Sequence, residues 1–161
     1  LPFADASFDA AVCVQTMEHV NNPFEVTEEI GRVLKPGGRY YLSAPMMWYQ
    51  HQKPHDYFRY TSFGLEYMLQ ENDMRIVEIR PMGGYFWFLS FYLQMLHDKL
   101  FQRAQSNLQR LLQLPFQAMV QGIFFYALPL LFFYLDRIDK IKDHTLGWVL
   151  IAEKLGDGSS S

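Results

Sequence analysis

Residues Leu1-Pro2-Phe3-Ala4-Asp5-Ala6-Ser7-Phe8-Asp9-Ala10-Ala11-Val12-Cys13-Val14-Gln15-Thr16-Met17-Glu18-His19-Val20 decide the fold. Ala10 to Val14 is a short apolar run entered through Ser7-Phe8-Asp9, the pattern of a buried strand. Behind it, Pro23 to Leu34 predicts a helix, with Phe24, Ile30, Val33 and Leu34 on one face and Glu25, Glu28, Glu29 and Arg32 toward water. Asn22 is a good cap for that helix, and Pro23 suits its first turn. Lys35-Pro36-Gly37-Gly38 ends it, because proline presets the first central turn residue and Gly37 accepts the positive φ that a type II turn needs next. Working outward, Arg39 to Ala44 predicts a second strand and Thr61 to Gln70 a second helix capped by Thr61. Arg75 to Arg80 and Gly147 to Glu153 predict two more strands. Strands alternating with helices point to an open α/β sheet.

The connection from Gly83 to Thr145 is too long to be structureless. It carries two apolar blocks, Tyr85 to Leu96 and a charge-free run from Leu111 to Leu135, and reads as a helical insertion before the last strand. The expected organisation is therefore 1–82 as α/β domain, 83–145 as insertion, 146–155 as the returning last strand and 156–161 as a flexible polar tail. Net charge is −3, which gives no electrostatic footprint for nucleic acid. Cys13 is the single cysteine, so no internal disulfide or cysteine metal cage can form, and a reducing cytoplasmic compartment fits.

Leu1-Pro2-Phe3-Ala4-Asp5-Ala6-Ser7-Phe8-Asp9 followed by Glu18-His19-Val20 resembles the "LPF-x-D-x-SFD … EHV" signature of class I S-adenosylmethionine-dependent methyltransferases of the type 11 kind. Leu34-Lys35-Pro36-Gly37-Gly38 resembles the "LKPGG" turn of the same family, in the right order and at about the right spacing. The resemblance covers Leu1 to about Pro81 and resumes in the last strand. It implies a Rossmann-like sheet with its final strand antiparallel and inserted between the two preceding late strands. It also implies S-adenosylmethionine as cofactor, with Gln15 and Thr16 at the methionine end, since ligands of open sheets sit beyond the carboxyl ends of the strands. The family's glycine-rich turn and ribose-binding acid are absent from these residues. The chain thus reads as a C-terminal part expected to bind cofactor poorly by itself. No metal is expected, because Gln15 stands where some quinone-pathway relatives have the first Glu of a metal-associated Glu-x-x-Glu-His arrangement.

His51-Gln52-Lys53-Pro54-His55-Asp56-Tyr57-Phe58-Arg59-Tyr60-Thr61 concentrates acid–base groups and aromatics in a loop after a strand, where functional loops gather. Similar loops in the resembled family accompany glycan- or lipid-linked substrates. Methyl transfer needs chiefly alignment and one group to take a proton. His55 is the candidate base, with His19, His51, Asp56 and Arg59 as acceptor-binding or orienting residues. A loop held by an Asp56–Arg59 pair is the structural alternative. Pro54 disfavours a helix that would join His51 to His55 in a metal pair.

Leu111 to Leu135 exceeds the length that spans a bilayer. The return of the last strand to the sheet, the glutamines at 105, 109, 113, 117 and 121, and the breakers Pro115, Gly122 and Pro129 favour instead a hairpin lying in the interface. The expected activity is methyl transfer to a small or lipid- or glycan-linked acceptor, peripherally on the cytoplasmic membrane face. Packing of the insertion in an oligomer is the alternative to lipid contact, and a non-catalytic adaptor is the alternative to an enzyme.

Overall fold

The computed structural model describes residues 1–100, 116 and 118–156. The chain divides into two compact units, Leu1–Met82 with Leu146–Ser161, and Gly83–Thr145. The first unit is a four-stranded sheet of β1 (Phe8–Val14), β2 (Leu34–Pro45), β3 (Met74–Pro81) and β4 (Gly147–Lys154), with helices α1 (Pro23–Val33) and α2 (Ser62–Gln70). The strand order is β1-β2-β4-β3, with β1 and β2 parallel and β4 antiparallel to both neighbours. This is the inserted antiparallel last strand that the sequence implied.

One face of the sheet carries the core. Tyr40, Leu42 and Ala44 of β2 and Leu150 and Ala152 of β4 pack with Ile30 of α1 and with Leu65, Met68 and Leu69 of α2. The alternation of side chains along each strand sends the intervening residues to the other face. There Val12, Val14, Tyr41, Val77 and Val149 are exposed, Val12 at 71%. Ala10 to Val14 is therefore not buried on both faces, as the run of apolar residues suggested. Among the described residues β1 is an edge strand covered on one face alone.

The elements begin and end close to their sequence signals. Asn22 accepts from the Glu25 amide, and Thr61 Oγ1 accepts from the Gly64 amide at 3.0 Å. The largest difference is β2, which starts at Leu34 rather than Arg39. Leu34 donates its amide to Ile30 O, closing α1, yet takes extended dihedrals and pairs with Phe8. The pairing resumes with Ala10 against Arg39, so Lys35 to Gly38 form a bulge inside the strand rather than a turn before it. Gly37 holds φ at +78°, and a Cβ on Gly38 would lie 2.8 Å from Lys35 O.

The second unit contains α3 (Tyr85–Leu100) and a helical stretch over 118–135 that ends in α4 (Leu128–Leu135). Phe86 stacks on Phe132, Trp87 meets Phe133 edge-on, and His97 contacts Phe124 and Phe125, so the two helical segments run antiparallel. Gly122 and Pro129 do not break the second segment. Pro129 has no amide proton for the carbonyl one turn back, and the helix widens to a π-turn over Ile123–Ala127, with the Leu128 amide donating to Ile123 O. Ala118–Leu135 is consequently a helix long and apolar enough, by length and composition, to cross a membrane. Residues 111–115, Pro115 included, and the glutamines at 105, 109, 113 and 117 lie outside the described residues.

A carboxylate clasp closes this unit. Asp136 accepts from the amides of Gly84 and Trp87 at 3.0 and 3.1 Å and from Lys142 Nζ. Asp139 accepts from the Tyr85 amide at 2.7 Å. The two acids satisfy the orphan amides at the N-terminus of α3 and complement its dipole.

Candidate functional site

The carboxyl end of β1 opens into the site. Gln15 takes a left-handed φ of 48°, which turns the chain off the strand, and its amide donates to Ser43 O at 3.0 Å. Its side-chain Nε2 reaches Ser43 Oγ at 3.2 Å and Met82 Sδ at 4.0 Å. Thr16 is exposed, with its hydroxyl donating to Val14 O. A single 3-10 turn, Met17–His19, follows and carries fully buried Met17 and Glu18.

The loop between β2 and α2 folds over that turn. Tyr57 N donates to Glu18 O at 2.8 Å, Tyr60 Oη donates to Met17 O at 2.8 Å, and Tyr60 N donates to Pro45 O. His19 Nδ1 lies 2.6 Å from His55 O. Trp48 and Tyr49 stack at 5.6 Å, and Tyr49, Tyr57 and Phe58 expose their rings, so the loop presents an aromatic rim.

The predicted residues separate into three settings. Asp56 and Arg59 are engaged within the loop itself. The Asp56 carboxylate, 4% exposed, takes both Arg59 Nη atoms at 2.6 and 2.9 Å and the His51 amide at 2.8 Å. The Arg59 guanidinium beside it holds the Asp56 carboxyl well below the usual carboxylate range. His55 is exposed, with Nδ1 3.0 Å from Tyr57 Oη. His19 and His51 meet, with ring centroids 4.7 Å apart, and both face Glu18. Glu18 is a site residue that the sequence by itself does not single out. Its signals were its place shortly past an apolar strand and its pairing with His19 in the Glu18-His19-Val20 signature.

A groove of about 850 Å³ runs along the open edge of β1, lined by Phe8, Val12, Val26 and Ile30 and by His19 and Tyr57 of the site. Half-buried Cys13 also lines it, and burial pushes its thiol pKa up.

Residues 1–42, which contain β1, the 3-10 turn, α1 and most of β2, match the family model described as a methyltransferase domain. Over this part of its length the chain is similar to class I S-adenosylmethionine-dependent methyltransferases. Ubiquinone biosynthesis O-methyltransferase of Dechloromonas aromatica is 38% identical over 63 residues, which cover 39% of this chain and 25% of that protein. The chain thus spans a quarter of that curated relative's length. A S-adenosylmethionine-dependent methyltransferase from Methanosarcina mazei superposes with a TM-score of 0.51 at 16% identity, over 98% of this chain and 64% of that one. The [4+2]-cyclase SpnF superposes with a TM-score of 0.55 at 19% identity, over 98% of this chain and 53% of that one. These structural likenesses establish the methyltransferase fold. A cyclase among them illustrates that this fold does not fix the reaction.

Proposed function

We propose that this methyltransferase chain forms the acceptor-facing wall of an enzyme that methylates a small or lipid- or glycan-linked acceptor. The observation that carries the reading is the histidine-bearing, aromatic-rimmed loop tied by Tyr57 N and Tyr60 Oη over the carboxyl end of β1. Bound S-adenosylmethionine supplies an electrophilic methyl group. Thr16 and the backbone of Gln15 line its methionine end, while exposed Tyr49, Tyr57 and Phe58 hold an apolar or ring-bearing acceptor. His55 takes the proton that the acceptor oxygen or nitrogen loses as the methyl bond forms. In the active enzyme, His55→Ala should lower kcat by about 10²-fold or more while leaving cofactor affinity unchanged. Unchanged turnover would remove His55 from the chemistry. Parallel loss of thermal stability and turnover would assign it to holding the loop.

We propose also that the second unit attaches peripherally to the cytoplasmic membrane face. Phe125, Tyr126, Leu130, Leu131, Phe133 and Tyr134 are exposed on the helical segment 118–135, and Arg137 lies over the Phe133 and Tyr134 rings. Exposed apolar surface on this scale marks an interaction site. Liposome flotation should recover the protein with the vesicles. Recovery in the aqueous fraction as a dimer would assign the same surface to self-association.

A further inference from the structure

We propose that Glu18, His19 and His51 bind a divalent transition-metal ion of the zinc class. His19 Nδ1 lies 2.6 Å from the His55 carbonyl oxygen, an atom that only accepts, so Nδ1 carries the proton and Nε2 presents a lone pair. His51 Nδ1 lies 3.1 Å from the Tyr49 carbonyl oxygen, and the same argument leaves a lone pair on its Nε2. Both Nε2 atoms face Glu18 Oε1, at 3.7 Å for His19 and 4.0 Å for His51. One donor atom from each of the three residues lies within 4.8 Å of the others.

Glu18 is fully buried, and among the described residues no hydrogen bond reaches either of its carboxylate oxygens or Nε2 of His19. Two imidazole lone pairs turned toward a fully buried carboxylate that has no donor of its own are unfavourable unless a cation lies between them. The remaining ring nitrogens follow the same logic. A metal-bound imidazole donates its other N–H to a backbone carbonyl or carboxylate, which fixes the ring and raises its basicity, and both histidines do so here. Two imidazole nitrogens with one carboxylate oxygen suit zinc and leave a fourth position open to water or an acceptor oxygen. Side-chain adjustment closes the donors to zinc–ligand distances of about 2.0–2.2 Å.

Gln15 replaces the first Glu of the metal-associated Glu-x-x-Glu-His arrangement. The structure turns the Gln15 amide toward Ser43 and Met82, and the third donor comes instead from His51 in the loop after β2. Metal binding is a property of the three side chains and does not depend on the proposed methyl transfer.

Titration of the metal-stripped chain with Co²⁺ provides the test. The wild type should develop visible d–d absorption at one equivalent, and Zn²⁺ should abolish it. Glu18→Gln and His51→Ala should each weaken Co²⁺ binding by more than about tenfold. His144→Ala, at an exposed histidine in the other unit, should leave binding unchanged. Far-UV circular dichroism checks folding, and if His51→Ala does not fold, the isosteric Glu18→Gln decides. A wild type with no d–d bands and no zinc retained after dialysis overturns the proposal. So does Glu18→Gln binding as tightly as the wild type.

Discussion

Arg59 spends its guanidinium on the loop that carries it, donating to the Trp48, Tyr49 and Phe58 carbonyls as well as to Asp56. The sequence had suggested Asp56 and Arg59 as orienting groups for an acceptor. Their spacing shows the pair, but the carbonyls that hold the guanidinium come from residues up to eleven positions away, which local reading does not reveal. Glu18 escaped for a related reason, since His51 reaches it from the next loop and only the fold buries it. The Asp56 carboxyl titrates below its unfolded value because Arg59 stabilises the charged form. The unfolded chain therefore binds the proton more readily as pH falls. The pair's stabilisation is complete above the ordinary aspartate pKa of about 3.9 and is lost as pH drops from there through the folded value. Asp56→Asn should cost about 1–2 kcal/mol at pH 7, the arginine end being partly solvated. Urea denaturation of both proteins at pH 7 and pH 3 measures this. The difference should shrink at the lower pH, and a constant difference would assign the loss to packing.

At the scale of elements, what was legible was local. Asn22, Thr61 and Pro23 mark helix starts through contacts a few residues long, and they fall where the sequence put them. Boundaries set by distant partners were not legible. Leu34 joins β2 because Phe8 pairs with it across the bulge, and the Asp136 clasp joins residues separated by 52 positions in sequence. Pro129 looked like a breaker because the sequence does not show that one π-turn absorbs it. The clasp carries its own prediction. Asp136→Ala leaves the Gly84 amide, on a buried residue, without its acceptor and Lys142 without its carboxylate. A loss of roughly 2–4 kcal/mol is expected, concentrated in the second unit. Hydrogen exchange should show faster amides at Gly84, Tyr85 and Trp87 with little change in the sheet. Uniform acceleration in both units would contradict an isolated clasp.

Over the whole molecule, the order of strands was readable because a glycine-bearing turn, an apolar last strand and the signature of β1 follow one another as in the resembled family. Exposure was not readable. An apolar run looks the same whether one face or two are covered, and β1 turned out to be covered on one face only. Val12, Val14, Tyr41, Val77 and Val149 leave one side of the sheet apolar and open, the kind of surface that a further layer covers in α/β folds. The 161 residues contain no Gly-x-Gly-x-Gly turn. Under the proposed function, this chain forms one wall of a cofactor site and needs the other to bind. Isothermal titration calorimetry with S-adenosylmethionine tests it, on this chain alone and on the same chain carrying the glycine-rich half of a methyltransferase sheet ahead of Leu1. Binding heat is predicted for the completed sheet only, weakened when Thr16 or Gln15 is replaced by Trp. A folded completed sheet that binds no cofactor, or binds it equally well with both substitutions, would remove Gln15 and Thr16 from a cofactor site.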